Sequence, residues 1–371
     1  MRSFPFLDLA MVNAPYQAAV KAAVGRVIDS GCYIGGSEVE ALEEALAAFV
    51  ATEYAVGVST GLDALRLILR GYIEMGVMKP GDEVIVPSNS YIASVLAVTD
   101  NRLVPVFAEP DPESFNITAA SVEAAVTPRT RAVMPVHLYG RACPVDEIRE
   151  VADRYRLKIV EDNAQAIGAS RQGVMTGAMG DAGAFSFYPT KNVGAMGDAG
   201  AVTTADPELA AAVRALRNYG SDRQYHNIYA GLNCRLDPVQ AAVIGVKLPY
   251  AHKENDMRRR IAEVYESHID NGAVRKPQHP ADPAEHVWHQ YVVRVDDRER
   301  FRAFMTSRGV MTAVHYPVPV HRQPCYADEY GYLSLPVAER MFAEVVSLPV
   351  SRCTSVDDAV AIAEIINVYR P

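Results

Sequence analysis

Lys191 stands in the run Phe185-Ser186-Phe187-Tyr188-Pro189-Thr190-Lys191-Asn192, followed by Gly194, Gly197 and Gly200. A lysine placed after an apolar strand, among aromatics and glycines, is open to desolvation. Desolvation lowers its pKa and exposes the amine as a nucleophile toward a carbonyl carbon. Ser186 supplies a hydroxyl that can face the same pocket. Taken alone, the alternative is an exposed loop lysine, which is what most lysines are. The Gly-x-x-Gly-x-x-Gly spacing is not a dinucleotide fingerprint: it sits mid-chain, lacks the opening strand–Gly-x-Gly turn, and has no acid about 20 residues on.

Two other segments carry polar groups at the ends of apolar runs. Ile159-Val160-Glu161-Asp162-Asn163-Ala164-Gln165 closes a hydrophobic strand with two acids. A half-desolvated carboxylate there would be costly unless a cationic atom offsets it. The competing reading is an acid that caps the next segment or pairs with a basic side chain. Val58-Ser59-Thr60-Gly61-Leu62-Asp63 turns straight into a helix. Its free N–H groups and the helix dipole make a phosphate site; by itself, such a turn is more often a helix cap without a ligand.

The elements that must position these groups alternate. Tyr54 to Val58, Glu83 to Pro87, Leu103 to Ala108, Arg131 to His137 and Lys158 to Asp162 read as strands. Between them lie helices on Leu62-Leu65-Leu69-Tyr72, Tyr91 to Thr99, Ser121 to Val126 and Val145 to Tyr155. Such alternation predicts a mainly parallel sheet covered by helices on both faces, with ligands at the carboxyl ends of the strands. Ser37-Glu38-Val39-Glu40 fits a capping box with Ser37 as N-cap and Glu40 at N3. Ala182 to Tyr188 and Gly200 to Ala205 read as further strands. A helical region runs from Asp237 towards Ile269, interrupted near Pro249.

Beyond Gly272 the pattern is α+β. Val287 to Val295 and Met311 to Tyr316 read as strands, and Arg298 to Ser307, Val337 to Val346 and Ser355 to Tyr369 as helices. The reading is two domains, residues 1–250 and 251–371, without an internal repeat.

The composition bounds the function. Hydrophobic residues make up 49% and charged residues 22%, the balance of a globular protein. The net charge of −9 argues against a nucleic-acid partner and leaves room for local phosphate sites. Met1 to Phe6 does not resemble a signal peptide, and no apolar run of about 18 residues predicts a membrane span. Five scattered cysteines without Cys-x-x-Cys or zinc spacing fit a reducing cytoplasm and no metal.

The three segments, in this order, resemble the DegT/StrS-type sugar aminotransferases of the fold-type I pyridoxal-phosphate enzymes. The resemblance extends from Pro5-Phe6-Leu7-Asp8-Leu9 through Val136-His137-Leu138-Tyr139-Gly140 to His315-Tyr316-Pro317 and Leu348-Pro349. It implies a large parallel-sheet domain, a smaller C-terminal α+β domain, and pyridoxal 5′-phosphate as cofactor. Lys191 matches the family's Schiff-base lysine, and Asp162 the acid that pairs with the cofactor's pyridine nitrogen. Gln165 matches the residue beside the ring hydroxyl, and Tyr91 the aromatic stacked on the ring. Ser186 and the backbone of Gly61 and Leu62 match the phosphate cradle. Asn233 matches a residue that reaches the phosphate from a neighbouring subunit, which implies a homodimer with shared sites.

The resemblance further implies L-glutamate as donor and 2-oxoglutarate as its product. The acceptor is a nucleotide-linked keto sugar, in deoxyaminosugar biosynthesis such as that of lipopolysaccharide or O-antigen. Leu62, the segment from Gly71 to Glu83, Asn89 to Ser94, Asn116-Ile117 and Asn218 to Ser221 resemble enzymes that aminate carbon 3 of a dTDP-linked 6-deoxyhexose. Tyr188, His315, Tyr316 and His321 are candidates for the sugar site. Departures are Thr60 where relatives often have Asn, Thr190 where several have Gly or other variants, and Asn163 where Ala or Cys is usual. The alternatives are a carbon 4 aminotransferase, a dehydratase, which the presence of Lys191 disfavours, and a catalytically silent regulatory relative.

Overall fold

The computed structural model describes residues 3–371; of the stretch Met1 to Phe6, Met1 and Arg2 lie outside the described residues. A seven-stranded sheet forms the centre. Its strands lie in the order Tyr54–Val58, Gly200–Thr204, Ala182–Ser186, Lys158–Asp162, Thr130–Val133, Glu83–Pro87, Val104–Ala108. Gly200–Thr204 is antiparallel to both its neighbours, and the other six strands run one way. Their carboxyl ends therefore share one edge, where the chemically interesting segments begin.

Strand alternation assigns residues to faces. Val84, Val86, Val160 and Val202 pack into one apolar cluster with the helices Gly61–Glu74 and Ile92–Asp100. Ile85, Val133 and Ile159 join a second cluster with Val145–Tyr155. Burial on both faces explains why the parallel strands read as continuous apolar runs. Gly61–Glu74 begins where the Thr60 side chain accepts from the Asp63 N–H at 2.9 Å, an N-cap that stops the strand–helix turn from fraying.

The chain passes from Pro238–Lys247 through a 3₁₀ turn at Leu248–Tyr250 into Ala251–His268, so Pro249 does interrupt the long helical region. Past it, Tyr291–Arg294 pairs antiparallel with Val345–Leu348. These two strands and the helices Arg298–Ser307 and Val356–Asn367 enclose an apolar cluster that includes Tyr265, Phe301 and Ile362. Ser355 caps the last helix in a reciprocal capping box with Asp358.

Four local expectations are corrected. Ser37 is the first helical residue of Ser37–Val50, not its cap; Gly36 holds the N-cap position without a side-chain bond. Met311 to Tyr316 forms no strand: Ala313 alone bridges to Ser347. The helix expected to reach Val346 ends at Glu344, and Val345–Leu348 is a strand. The strand expected from Val287 is confined to Tyr291–Arg294. The helices Gln17–Ser30 and Pro207–Leu216 were not anticipated. No described helix is long and apolar enough to cross a membrane.

Candidate active site

The carboxyl edge of the sheet surrounds a cavity of about 520 Å³, lined by Gly61, Leu62, Tyr91, Asp162, Gln165, Ser186, Tyr188, Lys191, His315 and Tyr316 among others. Its size is that of a small-molecule site. A larger open groove of about 640 Å³ lies between Pro207–Leu216 and the hairpin at Ser221 to Asn227, but no lysine or histidine lines it.

Lys191 follows the strand Ala182–Ser186 in a tight loop, its N–H donating to the Tyr188 carbonyl at 2.8 Å. Burial lowers its ammonium to about 8, while the negative charge of Asp162 pulls the other way. An amine with that pKa is half neutral near pH 8. Capture of pyridoxal phosphate by the cofactor-free protein, followed by the rise of visible absorbance, should therefore increase with pH through a midpoint near about 8 and level off above it. A profile still climbing at pH 10, as an ordinary lysine gives, would contradict the assignment.

The two acids of the strand end separate cleanly. Asp162 shares its face with Val160 and is 6% exposed. The Ser94 hydroxyl donates to its Oδ2 at 2.8 Å and the Ala164 N–H to its Oδ1 at 3.2 Å. Glu161 points to the opposite face and is fully enclosed. It accepts from the N–H groups of Gly177, Met179 and Gly180 at 2.7, 2.8 and 2.7 Å. His137 completes its shell. The Cys143 N–H donates to His137 Nδ1 at 2.9 Å, so Nε2 carries the proton and donates to Glu161 Oε2 at 2.8 Å. Glu161→Ala strands these buried donors and is expected to lower unfolding stability by about 3–5 kcal/mol. Urea unfolding checks this; a loss below about 1 kcal/mol would show that Glu161 is not the staple it looks to be.

A cradle for an anion lies at the same edge, where Tyr54–Val58 and Ala182–Ser186 end side by side. Gly61 and Leu62 open a helix whose first N–H groups have no partner within it. A Cβ on Gly61 would stand 2.6 Å from the Ser186 Cβ, so only glycine lets the helix start against that serine. Gly200 is fixed likewise: a Cβ there would meet the Thr60 carbonyl oxygen at 2.3 Å. N–H groups, a helix dipole and a hydroxyl together suit a phosphate.

Aromatic and imidazole groups line the rest. Tyr91 and Tyr188 are half-exposed. The Tyr91 ring lies 4.9 Å from that of Tyr316, whose hydroxyl accepts from Gln165 Nε2 at 3.0 Å. Gln165 Oε1 in turn accepts from the Tyr139 N–H at 2.6 Å, which fixes its amide. His315 Nδ1 lies 2.8 Å from the Ser347 hydroxyl. Burial and the nearby Lys191 charge lower its pKa to about 4, so it stays neutral.

Two of the sequence-derived residues are not brought to this cavity. His321 is fully buried elsewhere, with Nε2 2.9 Å from Glu339 Oε1. Asn233 lies exposed on the segment that bridges to Asn218. The structure adds Ser94, His289, Gln290 and Asp198 to the lining. The donor set fits pyridoxal 5′-phosphate: a desolvated amine, an anion held by two hydrogen bonds, and a helix N-terminus beside a serine.

Known proteins resemble the chain throughout. Residues 16–367 match the DegT/DnrJ/EryC1/StrS aminotransferase family. A dTDP-3-amino-3,6-dideoxy-alpha-D-galactopyranose transaminase from Aneurinibacillus thermoaerophilus is 46% identical over 98% of this chain and 99% of its own. The crystal structure of Streptomyces venezuelae DesV in complex with a ketimine intermediate superposes with a TM-score of 0.95 at 44% identity, covering 99% of this chain and 98% of that one. Bacillus subtilis NtdA with bound cofactor PMP gives a TM-score of 0.90 at 30% identity, covering 99% and 86%.

Proposed function

The chain belongs to the DegT/DnrJ/EryC1/StrS aminotransferase family, and from that premise we propose that it moves an amino group from L-glutamate to carbon 3 of a dTDP-linked keto-6-deoxyhexose. The architecture is fold-type I and the cofactor is pyridoxal 5′-phosphate. The observation that carries the reading is the convergence of Lys191, Asp162, Gln165 and Ser186 on one cavity. That convergence occurs in a chain similar along almost its whole length to a relative named for a 3-amino sugar.

When bound, the cofactor supplies an aldehyde that takes and gives the amino group, and a ring that draws off electron density. Lys191 would hold it through Nζ and, with its amine free, would move a proton as a general acid–base. Asp162, as an anion, keeps the ring nitrogen protonated. Ser186 and the N–H groups of Gly61 and Leu62 would hold its phosphate, Gln165 would serve the ring hydroxyl, and Tyr91 would stack on the ring. Tyr188, His315 and Tyr316 lie where the sugar would enter; His321, enclosed on Glu339, is left out of that lining.

A catalytically silent regulatory relative would have no need to keep this full set. Carbon 4 is the nearer competitor, because a turned-over sugar ring would present the other carbonyl to the same cavity. The test is the NMR structure of the product formed from dTDP-linked 3-keto and 4-keto 6-deoxyhexoses. An amine found only at carbon 4 overturns the regiochemistry and leaves the cofactor reading intact.

The reading includes a homodimer with shared sites and two domains, 1–250 and 251–371. The separate apolar cluster around Tyr291–Arg294 and Val345–Leu348 supports the second domain. Asn233, exposed and apart from its own chain's cavity, is the residue proposed to cross to the partner's phosphate. Mixing Asn233→Ala with Lys191→Ala chains should then restore activity, because one hybrid site escapes both changes. Hybrid dimers that form and stay inactive would refute sharing.

A further inference from the structure

His289 is 6% exposed and lines the cavity with Lys191, yet no local sequence signal marks it. A chain of side-chain amides determines which of its nitrogens carries the proton. It starts at the Ile167 carbonyl, which can only accept. Asn255 must therefore turn Nδ2 toward it, at 2.9 Å. That leaves Asn255 Oδ1 to accept from Asn192 Nδ2 at 2.9 Å, an orientation reinforced by a second bond from Asn192 Nδ2 to the Val287 carbonyl at 3.2 Å. Asn192 Oδ1 is then left to face His289 Nδ1, at 3.1 Å. An amide oxygen only accepts, so Nδ1 carries the hydrogen and Nε2 of the neutral ring is a bare lone pair.

The backbone holds this arrangement under strain. Trp288 has φ +47°, an outlier for so bulky a residue. Arg258, buried, donates to the carbonyls of Trp288, His289 and Val350 at 3.2, 3.4 and 2.5 Å. The Trp288 ring stacks on His286 with centroids 3.7 Å apart. The charged or titratable groups acting on His289 are Lys191, Arg258 and His315; burial first, and the Lys191 and Arg258 cations second, keep its pKa well below the usual value. The ring thus stays neutral while Lys191 titrates. Neither Lys191 Nζ nor His289 Nε2 has a hydrogen-bond partner among the described residues, although both groups line the one cavity.

We propose that His289 is a positioning residue for Lys191: its bare Nε2 accepts a hydrogen from the Lys191 amine when that amine is free, and so aims the amine's lone pair at the reacting carbon. The inference rests on the reading of Lys191 as the reacting amine. A permanently unprotonated acceptor suits that task, since it orients the amine without competing for its proton.

The experiment uses the cofactor-loaded enzyme and a single turnover with L-glutamate, read by the cofactor's visible absorbance. In His289→Ala the cofactor should still attach, while amine transfer slows on the order of 10²-fold, the scale of a misplaced reacting group. Added imidazole should restore at least roughly a tenth of the lost rate, and the rescue should grow as imidazole loses its proton near about pH 7. A purely structural role would not produce that pH dependence. A second measurement needs no variant that must fold. ¹⁵N NMR of histidine-labelled parent enzyme should show His289 with Nδ1 protonated and Nε2 bare throughout pH 6–9. A protonated Nε2, an unaffected His289→Ala, or a slowed variant that imidazole does not rescue overturns the proposal. A parent that binds no cofactor sinks this proposal together with the reading beneath it; a competent parent with an unaffected variant sinks this one alone.

Discussion

Lys191→Ala is expected to abolish steady-state amino transfer, by at least roughly 10⁴-fold. Loss of a general acid–base alone spans about 10²–10⁴, and here the nucleophile disappears with it. Alanine introduces no strain, and Asp162 keeps its hydrogen bonds from Ser94 and Ala164; the site loses a partly buried cation whose ionised form was already disfavoured. The fold should therefore persist, and its thermal transition should stay near the parent's. The cradle of Gly61, Leu62 and Ser186 is untouched, so the cofactor should still bind, but reversibly. The measurement pairs turnover with dialysis. The parent should retain visible absorbance and the variant should lose it. Residual activity above a few per cent would mean that another lysine carries the cofactor. The nearest other buried lysine is Lys247, which donates to the Gly194 carbonyl and does not line this cavity.

The site was legible where chemistry and chain order coincide, and opaque where it depends on distant parts of the chain meeting. Lys158–Asp162 could be read residue for residue, because an apolar run bounded by a helix and two acids admits few alternatives. Which acid faces the cavity follows from the pleat: Asp162 shares the face of Val160, and Glu161 that of Ile159. Ser94 was invisible because it meets Asp162 across a separation of 68 residues, and His289 meets Asn192 across 97. Met311 to Tyr316 carries a strand-like apolar pattern. Its chain instead serves as a wall, with His315 and Tyr316 at the cavity and one bridge to Ser347. Val345–Leu348 was hidden for the opposite reason. The helix Pro336–Glu344 runs directly into it, without a glycine or proline to mark the change.

Asp162→Asn isolates charge from shape. Asparagine keeps the length of the side chain, and its Oδ1 can still accept from the Ala164 N–H. Its amide NH₂ would face the Ser94 hydroxyl, which can rotate to accept. The fold should survive; what goes is the negative charge that favours a protonated pyridine nitrogen. Loss of one such fixed electrostatic group is worth about 10²–10³ in turnover, or roughly 2.7–4 kcal/mol, and a fall of at least 10²-fold is expected. Glu161 cannot take over, since it lies on the far face of the sheet with three backbone N–H groups and His137 around it. A second readout follows from the same charge. Asp162 raises the pKa of Lys191 against the lowering by burial. Without it, the midpoint for cofactor capture should move below about 8, so the variant captures cofactor faster than the parent at pH 7 while turning over more slowly. A merely destabilised site would slow both. Parent-like turnover, or a midpoint shifted upward, would show that the anion serving the ring lies elsewhere; Asp198 is the other carboxylate lining the cavity.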